Sequence, residues 1–491
     1  MEIIKRNYGI IFLSLLFLFT RLYNLLLLPI FTDESIYIYW AKTIITTHSQ
    51  WFISLSDGKP PLLIWLISIF LSFLPSNLYL FAGRLPSVLS GLSALFAIYF
   101  VSSSLFGSKK IALLSSFLYV ICPFFVLYDR MALFDSFLNS TLLWSVYFSI
   151  RTAKSLSFKD AVLWGGFLGL AFLFKPTAIV FLVLSPVVFL LLLSYAEQIK
   201  NWKKILLLLC FVFLVSEGMY SILRFSHTYP AMVLKNQQFQ QPIAELISKP
   251  FKLTIDNGKG IYSWVVAYYT LPVFMLGVLA FIVLCVKKTK IGLFLFSLWF
   301  FPLFVFATVA REIFPRYILF TTPYFLIMCA YLLEYIFGKS KVLKLIVFIL
   351  IIFPSIQFDR LLLINPIEAP LPIIDYNQYV SQHPSGYGVD KVFTYIRNKS
   401  KDRKITLVTQ GTFGLYPYAF YLEFWGNPNV RILPKWPMDK IDDEIVKAKK
   451  EGPVFILFKE HMVIPNNLPV SLVLKSEKPG KRYPLLLTII Q

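Results

Sequence analysis

The amino-acid sequence predicts an α-helical protein that crosses a membrane many times. Of its 491 residues, 57% are hydrophobic and only 15% are charged, and the mean hydropathy is +0.69. Soluble globular chains carry about 25% charged residues, so the composition excludes an ordinary soluble protein. Apolar runs follow one another along the first 358 residues, and a helix that crosses the hydrocarbon needs roughly 20 such residues.

Twelve apolar runs are the candidates for membrane spans. They cover residues 8–30, 61–74, 80–104, 110–128, 131–151, 160–174, 176–195, 204–225, 261–286, 291–310, 316–337 and 341–358. The first follows Lys5 and Arg6 and has no small-residue cleavage site, so we expect an uncleaved signal anchor. The second is short and bounded by prolines, so its placement needs a separate argument.

The basic loops decide whether residues 61–74 cross the membrane. Loops rich in Lys and Arg lie at residues 106–110, 151–159, 200–204, 287–290 and 338–344. If residues 61–74 cross, all of these loops lie outside, against the positive-inside rule. If that segment instead lies in the outer interface, all of them are cytoplasmic. We therefore predict eleven spans, an interfacial helix in the first outer loop, and a C-terminus outside.

The net charge of +21 does not indicate nucleic-acid binding. Basic residues between apolar runs are typical of cytoplasmic loops, so we expect membrane lipid, and no nucleic acid, around this chain. The four cysteines lie inside apolar runs, with neither CxxC spacing nor a histidine at ligand spacing. The sequence therefore predicts neither a disulfide framework nor a structural zinc site.

A second domain is predicted over residues 359–491, after a transmembrane domain of residues 1–358. Prolines cluster at its start, and the strand-like runs KITLVTQ and GPVFILF flank the charged, helical segment MDKIDDEIVKAKK. We expect a soluble, extracytoplasmic domain of mixed α/β structure. The outer loops of the transmembrane domain are residues 31–79 and 227–260.

Acidic residues are concentrated on the predicted outer face. Asp33 and Glu34 follow the first run directly, and Asp135 lies four residues into a later one. An ionised carboxylate at full membrane depth costs about 2.5 to 3.5 kcal/mol and is usually functional or paired. Two carboxylate regions on one face can share a general-base task or a divalent cation. Alternatively, Asp33 and Glu34 are solvated loop residues, and Asp129 and Arg130 form structural pairs with these acids.

Cations occur on the same predicted face as these acids. They are Lys59, Arg84, Lys175, Arg311 and Arg316. Each one alone is typical of an interface anchor that reaches the lipid headgroups. Together they favour an anionic ligand, and a lipid-linked phosphate fits because the phosphate needs cations while the lipid tail needs an apolar groove.

An ordered series of motifs resembles a known family. FTDE, GKPPLLIWL, GRLPSVLSGL, YDRMALFDSFL, GLAFLFKP and RYILFTTPYFLIM are similar, in this order, to bacterial and archaeal members of the protein O-mannosyltransferase family. These are the family-39 glycosyltransferases of GT-C fold, which include the aminoarabinose transferases. The resemblance covers most of residues 1–337. It implies an inverting transferase that moves a sugar from a polyprenyl-phosphate donor to an acceptor hydroxyl on the outer side.

The resemblance also implies roles for individual residues. Asp33 would be the general base and Glu34 its neighbour in substrate positioning. Lys59 would bind the donor phosphate, assisted by Arg84 or Arg316.

Asp135, in the motif that also contains Arg130, matches a second acidic position that takes part in a metal or acceptor site in some relatives. Asp33 and Asp135 are thus candidate ligands of a possible divalent metal ion, although no cofactor is certain. Phe134 stands where relatives often have Thr, and the sugar and the acceptor stay open.

Two other classes of function compete with the transferase. A multi-span transporter or lipid-carrier flippase could use the outer charges to gate a path. However, transporters often show two related halves and a site at mid-membrane, and this sequence has no matching halves. A receptor or scaffold whose outer domain binds a partner would leave Asp33 dispensable.

Overall fold

The computed structural model describes residues 2–337, 341–459, 464–480 and 483–491, so residues 338–340 of the predicted loop 338–344 lie outside the described residues. The described chain forms two compact units. The first unit holds Met1–Tyr23, Trp51–Leu63 and Ser87–Asn365. The second holds Asn24–Gln50, Ile64–Pro86 and Pro366–Gln491. Two segments of the N-terminal part of the chain thus pack with the C-terminal residues in one unit.

Helices dominate the described chain up to residue 364. They are α1 (Glu2–Leu22), α2 (Thr32–Thr47), α3 (Leu62–Phe73), α4 (Tyr79–Phe106), α5 (Lys109–Val120), α6 (Pro123–Tyr128), α7 (Phe134–Ser155), α8 (Phe158–Phe174), α9 (Ile179–Val183), α10 (Ser185–Leu192), α11 (Tyr195–Tyr220), α12 (Tyr229–Gln238), α13 (Ile243–Ser248), α14 (Thr254–Tyr269), α15 (Leu271–Lys287), α16 (Thr289–Val309), α17 (Thr322–Phe337) and α18 (Lys341–Ile364).

The predicted membrane character agrees with these helices. Within the described residues, five helical segments are long and apolar enough to cross a membrane, or six if the pair α14 and α15 is one span bent by 107°. The five are Ser76–Phe106, Tyr195–Phe225, Thr289–Val309, Pro315–Ile336 and Leu345–Ile364. Helix α3 has 12 residues and rises only about 18 Å, less than the hydrocarbon thickness of about 30 Å. The count of eleven spans stays a prediction.

Several predicted spans are broken helices. Residues 110–128 form α5 and α6, which are separated where Pro123 starts a new helix, because proline cannot donate a backbone hydrogen bond. Residues 8–30 were expected to form one span, but α1 ends at Leu22. Asn24 has a positive φ of 48°, which is not a helical conformation. The backbone carbonyls of the residues that follow Asn24 therefore have no partner within a helix and can accept hydrogen bonds from side chains.

Close helix contacts in the first unit depend on glycine. A Cβ at Gly91 of α4 would lie 2.6 Å from Cγ of Asp129, and a Cβ at Gly165 of α8 would lie 2.9 Å from the Val212 carbonyl oxygen of α11. Distances this short leave no space for a side chain. Gly91 therefore allows the Asp129 side chain to lie against the α4 backbone, and Gly165 allows α8 to pack on the α11 backbone.

The C-terminal part of the second unit is mixed α/β, as predicted. Its helices are α19 (Ile373–Tyr376), α20 (Val389–Lys399), α21 (Leu415–Glu423) and α22 (Asp443–Glu451), and its strands are β1 (Ile405–Gln410), β2 (Val430–Lys435), β3 (Val454–Phe458), β4 (Val470–Ser476) and β5 (Leu485–Ile490). The sheet order is β2-β1-β3-β5-β4. Strand β1 is parallel to β2 and β3, whereas β5 is antiparallel to β3 and β4. The strands expected in KITLVTQ and GPVFILF are confirmed as β1 and β3.

The central strands of this sheet are buried on both faces. Every residue of β1 and β3 is buried, which explains the continuous apolar sequence of β3 and the β-branched and apolar residues of β1. One core cluster joins Val408, Ile456 and Leu486 of the sheet to Ile445 and Ala448 of α22. The helix predicted in MDKIDDEIVKAKK starts only at Asp443.

Candidate active site

Helix α2 begins with the two acids that follow the first apolar run. The Phe31 backbone N–H donates to Oε2 of Glu34 at 3.0 Å, so the Glu34 side chain satisfies a donor that the helix itself cannot satisfy. Glu34 is fully buried, whereas Asp33 is half-buried. Neighbouring positions on an α-helix point about 100° apart. Asp33 is therefore the acid of the pair that remains accessible.

Arg84 of α4 holds Glu34 in place. Its Nε donates to Glu34 Oε1 at 2.8 Å, and its Nη2 donates to Glu34 Oε2 at 2.7 Å, which is the bidentate geometry of a strong ion pair. Nη1 donates to the carbonyl oxygens of Leu25 and Leu28, each at 2.8 Å, and Nη2 also donates to Pro29 at 3.3 Å. The Arg84 guanidinium is buried.

These contacts change the expected role of Arg84. A guanidinium has five N–H donors, and all five have acceptors in the second unit. No donor is left for a donor phosphate, so the predicted assistance of Arg84 in phosphate binding has no support in this geometry. Its position instead fixes the turn of chain between α1 and α2 and the carboxylate of Glu34.

The aromatic residues behind Asp33 pack inside the second unit. The spacing of Tyr37, Tyr39 and Trp40 is typical of one face of an interfacial helix, but Tyr37 and Trp40 are each only 3% exposed. The Tyr39 ring stacks on the Tyr418 ring, with centroids 4.4 Å apart. Contacts with other protein residues therefore orient these three rings.

Asp135 pairs with Lys175 in the first unit. Asp135 lies in the first turn of α7 and is 3% exposed. Lys175, at the end of α8, donates its Nζ to Asp135 Oδ1 at 2.5 Å, and this Nζ also lies 4.2 Å from the centre of the Tyr317 ring. The buried carboxylate expected from the sequence is thus compensated by a cation 40 residues away.

A cavity of about 260 Å³ opens beside Lys175. Two lysines, Lys59 and Lys175, and one carboxylate, Glu312, are its charged lining residues. Most of the other lining is apolar and comes from α9, α12 and α16 and the residues after them. These residues include Ile179, Val180, Phe239, Val305, Phe306 and Val309. A mostly apolar cavity with two cations suits an amphiphilic anion.

A tight turn presents Lys59 to this cavity. Gly58 has a φ of 78°, a left-handed conformation that glycine adopts at no steric cost. The Lys59 N–H donates to the Ser54 carbonyl at 3.0 Å, and the Asn236 side chain donates to the Gly58 carbonyl at 3.1 Å. Lys59 Nζ lies 5.7 Å from the centre of the Phe239 ring. No carboxylate pairs with Lys59 among the residues that the structure describes, in contrast to Lys175.

Arg130 and Arg316 are buried, each at 7% exposure. Arg130 Nη1 donates to the Thr20 carbonyl at 3.2 Å. The Arg316 guanidinium carbon lies 5.2 and 5.5 Å from the ring centres of Phe314 and Tyr317. Arg316 does not line the cavity, but the next residue, Tyr317, does.

Asp129 has its own buried partners in the first unit. It accepts hydrogen bonds from the hydroxyls of Ser136 at 2.8 Å and Tyr119 at 3.1 Å. Its Oδ2 lies 3.6 Å from Nε of Arg21. Arg21 is a charged residue inside the first apolar run. Its buried contact with Asp129 explains how a charged side chain is accommodated there.

The two candidate metal ligands lie in different units of the chain. Asp33 belongs to the second unit and Asp135 to the first, where Asp135 pairs with Lys175. Over the described ranges, no group of three His, Cys, Asp or Glu side chains could hold a metal ion.

Three features of the site were not predicted from the sequence. The partner of Asp135 and the apolar wall from α9 and α16 both need long-range contacts, which carry no local signal. The third feature is that every N–H group of the Arg84 guanidinium already has an acceptor, because the side chain points towards Glu34 and the carbonyls before α2. The sequence predicts Lys175 as an outer cation, but it does not predict that Lys175 and Lys59 line the same cavity.

Comparisons with known proteins support the resemblance seen in the motifs. Residues 58–220 match the family model described as dolichyl-phosphate-mannose-protein mannosyltransferase. This range includes Lys59, Arg84, Asp135 and Lys175 but not Asp33. A comparison with curated protein sequences finds no match.

Solved structures share the fold over nearly the whole chain. ArnT from Cupriavidus metallidurans bound to undecaprenyl phosphate is 13% identical, with a TM-score of 0.56, and the match covers 98% of this chain and 97% of that one. The archaeal oligosaccharyltransferase AglB from Archaeoglobus fulgidus, in complex with an inhibitory peptide and a dolichol-phosphate, is 11% identical, with a TM-score of 0.51, covering 94% and 70%. The expected GT-C fold is therefore confirmed.

Proposed function

We propose that this chain is an inverting glycosyltransferase that moves a sugar from a polyprenyl-phosphate donor to an acceptor hydroxyl on the outer face of the membrane. The observation that carries the proposal is the apolar cavity with Lys59 and Lys175 in its wall. Both solved structures described above hold a polyprenyl or dolichol phosphate, a ligand of the chemistry that such a cavity suits.

Lys59 is the main phosphate-binding residue in this proposal. It is half-buried, and a fixed turn holds its backbone. An ammonium group that has no carboxylate partner in the described contacts can give its full charge to a phosphate. Lys175 shares its charge with Asp135, so it contributes less to the phosphate and more to the shape of the cavity.

Asp33 is the general base. It is the accessible acid at the start of α2, while Glu34 is fully committed to Arg84 and the Phe31 N–H. A base must reach the acceptor hydroxyl and remove its proton as the oxygen attacks. Glu34 then acts as a positioning residue, because its carboxylate holds the turn from which Asp33 projects.

The reaction balances with these groups alone. The acceptor oxygen forms a bond to the anomeric carbon, and the bond from that carbon to the donor phosphate oxygen breaks. The acceptor proton passes to Asp33, and the polyprenyl phosphate leaves with the electron pair. Lys59 stabilises the charge on the departing phosphate. Attack opposite to the leaving group inverts the anomeric configuration.

The proposal includes the predicted sidedness of the chain. With residues 61–74 in the outer interface, Asp33, Lys59 and the C-terminal sheet all belong to the extracytoplasmic side. The Ser76→Cys variant tests this directly, since an impermeant thiol reagent should label it from outside intact cells. Labelling from the cytoplasmic side only would restore twelve spans and contradict the proposed sidedness.

A transfer assay tests the activity. Membranes containing the protein are incubated with polyprenyl-phosphate sugars labelled in the sugar and with protein, glycan and lipid acceptors. We expect labelled product of inverted anomeric configuration. Lys59→Met should lower kcat/KM by about 10- to 100-fold, since a hydrogen bond to a charged group contributes roughly 1.5 to 3 kcal/mol.

Lys259→Met is the matched control, because Lys259 is 76% exposed and lies at a different outer position. It should leave transfer unchanged. Movement of intact labelled donor across the membrane, without transfer to any acceptor, would favour the flippase instead. Equal loss in the two lysine variants would contradict the assignment of Lys59.

A further inference from the structure

The start of α2 is bonded to a C-terminal loop of the same unit, residues 382–386. The Thr32 N–H and the Thr32 hydroxyl both donate to the Pro384 carbonyl, at 3.1 and 2.9 Å. The Phe31 ring meets the Tyr379 ring edge to face, with centroids 4.8 Å apart. The residue directly before Asp33 is thus held by a chain segment about 350 positions away.

Gly386 lets this loop touch the chain before α2. A Cβ at Gly386 would lie 2.2 Å from the Ile30 carbonyl oxygen and 3.1 Å from its nitrogen. Gly386 does not have a left-handed φ, so available space, and not backbone conformation, is the reason for glycine here. Any side chain at this position would push the loop away from Ile30 and Thr32.

Lys478 fixes the loop from its other side. Its Nζ donates to the carbonyl oxygens of Gln382 at 2.9 Å, His383 at 3.4 Å and Ser385 at 2.6 Å. Lys478 is only 3% exposed, and burial of a polar amino group is costly unless it is hydrogen-bonded. The three acceptors flank Pro384, so the Lys478 amino group organises the carbonyl that receives both Thr32 bonds.

The far end of α2 is held by the same part of the chain. Lys42 donates to the Tyr421 carbonyl at 2.8 Å and lies 4.8 Å from the centre of the Trp425 ring. Tyr39, which also belongs to α2, stacks on the Tyr421 ring, with centroids 5.2 Å apart. Contacts at both ends fix the direction of the helix axis as well as its first turn.

We infer that residues 382–386 and Lys478 position Asp33 for catalysis, so that the C-terminal residues belong to the catalytic apparatus. Thr32, Gly386 and Lys478 are positioning residues, since they act on Asp33 through the first turn of α2. The inference rests on the proposed function for its catalytic consequence. The attachment of α2 to the loop can be measured without any substrate.

Two alanine variants separate positioning from general damage. Gly386→Ala places a Cβ 2.2 Å from the Ile30 carbonyl oxygen, and Gly452→Ala places one 2.4 Å from the Lys404 carbonyl oxygen, away from α2. The two clashes are similar in distance, and both glycines lie in the second unit. The two variants should therefore lower the thermal midpoint by similar amounts. Hydrogen exchange of the residue 32–37 amides and the transfer kinetics are then compared in the full-length protein.

We expect exchange of these amides to be at least about tenfold faster in Gly386→Ala than in Gly452→Ala. We also expect kcat to fall about 10- to 100-fold, the scale of a catalytic group misplaced by about 1 Å, with KM for the donor within about twofold of wild type. Lys478→Arg should keep more activity than Lys478→Met, because the longer cation can still donate to the loop carbonyls.

Equal exchange of residues 32–37 in the two alanine variants would overturn the inference. Faster exchange in Gly386→Ala with unchanged kcat would overturn it as well, because the turn would then be held without any effect on catalysis. If the wild type transfers no sugar, the proposed function fails, and the exchange comparison still decides whether the loop holds α2.

Discussion

The Glu34–Arg84 pair gives a stability prediction whose size follows from the structure. Arg84→Met removes a buried guanidinium and leaves the Glu34 carboxylate, which is fully buried, without its cation. Loss of one member of a buried pair costs roughly 3 to 5 kcal/mol. The carbonyls of Leu25, Leu28 and Pro29 also lose their donor, which favours the upper end of this range. We therefore expect a loss at the upper end, about 5 kcal/mol.

The assay is the free energy of unfolding, measured by reversible denaturant titration in detergent for a cycle of variants. Glu34→Gln keeps an oxygen that can accept from the Phe31 N–H. The double variant Glu34→Gln, Arg84→Met buries no uncompensated charge, so it should recover at least about half of the Arg84→Met loss. Arg431→Met is the control, since the Arg431–Glu444 pair is 46% and 45% exposed and such pairs contribute about 0 to 1 kcal/mol.

A loss below about 1 kcal/mol in Arg84→Met, no larger than in Arg431→Met, would refute this reasoning. It would show that the pair contributes no more than an exposed one. The same result would return Arg84 to the group of cations available for phosphate.

Other variants test the packing and the pH dependence. Gly91→Ala should cost about 1 to 3 kcal/mol by overpacking, because its Cβ would lie 2.6 Å from Asp129 Cγ. Gly166→Ala, whose Cβ would meet no atom within 4 Å, should cost far less in the same denaturant titration. Burial, with a smaller effect of Lys459, lowers the pKa of Lys478 to about 7 from 10.5. Between about pH 7 and 10 the unfolded chain therefore binds a proton that the folded chain does not, and stability rises with pH. The thermal midpoint of the wild type should therefore rise with pH over this interval, and that of Lys478→Met should rise less. An equal rise of the midpoint with pH in the two proteins would contradict this prediction.

Local sequence determined the elements that depend on local energetics. Continuous apolar runs predicted the helical, membrane-type character, because apolar side chains are stable in lipid wherever they occur in the chain. The runs KITLVTQ and GPVFILF predicted β1 and β3 because β-branched and aromatic residues suit a sheet buried on both faces. The shift of the predicted helix to Asp443 also has a local cause, since the Asp442 side chain accepts from the Ile445 N–H at 2.9 Å and caps the helix there.

Long-range contacts determined what the sequence did not predict. Residues 24–50 and 64–86 lie in one unit with residues 366–491, although no local pattern links these segments. The aromatic residues after Asp33 have a spacing typical of an interfacial helix, but the rings of Tyr418 and Tyr421 supply the surface against which Tyr39 packs. The cations of the outer face look alike in sequence. Their partners distinguish them: Arg84 is saturated by Glu34 and three carbonyls, and Lys175 pairs with Asp135.

Transfer by the Asp33→Asn variant tests the central claim most directly. Asparagine keeps the size of the side chain and removes its ability to accept the acceptor proton. The matched control is Asp256→Asn, because Asp256 is 87% exposed. With equal amounts of protein, we expect kcat to fall about 100- to 10,000-fold in Asp33→Asn, the usual contribution of a general base, with donor binding unchanged and Asp256→Asn equal to wild type. Unchanged transfer in Asp33→Asn would contradict the assignment of Asp33 as the base.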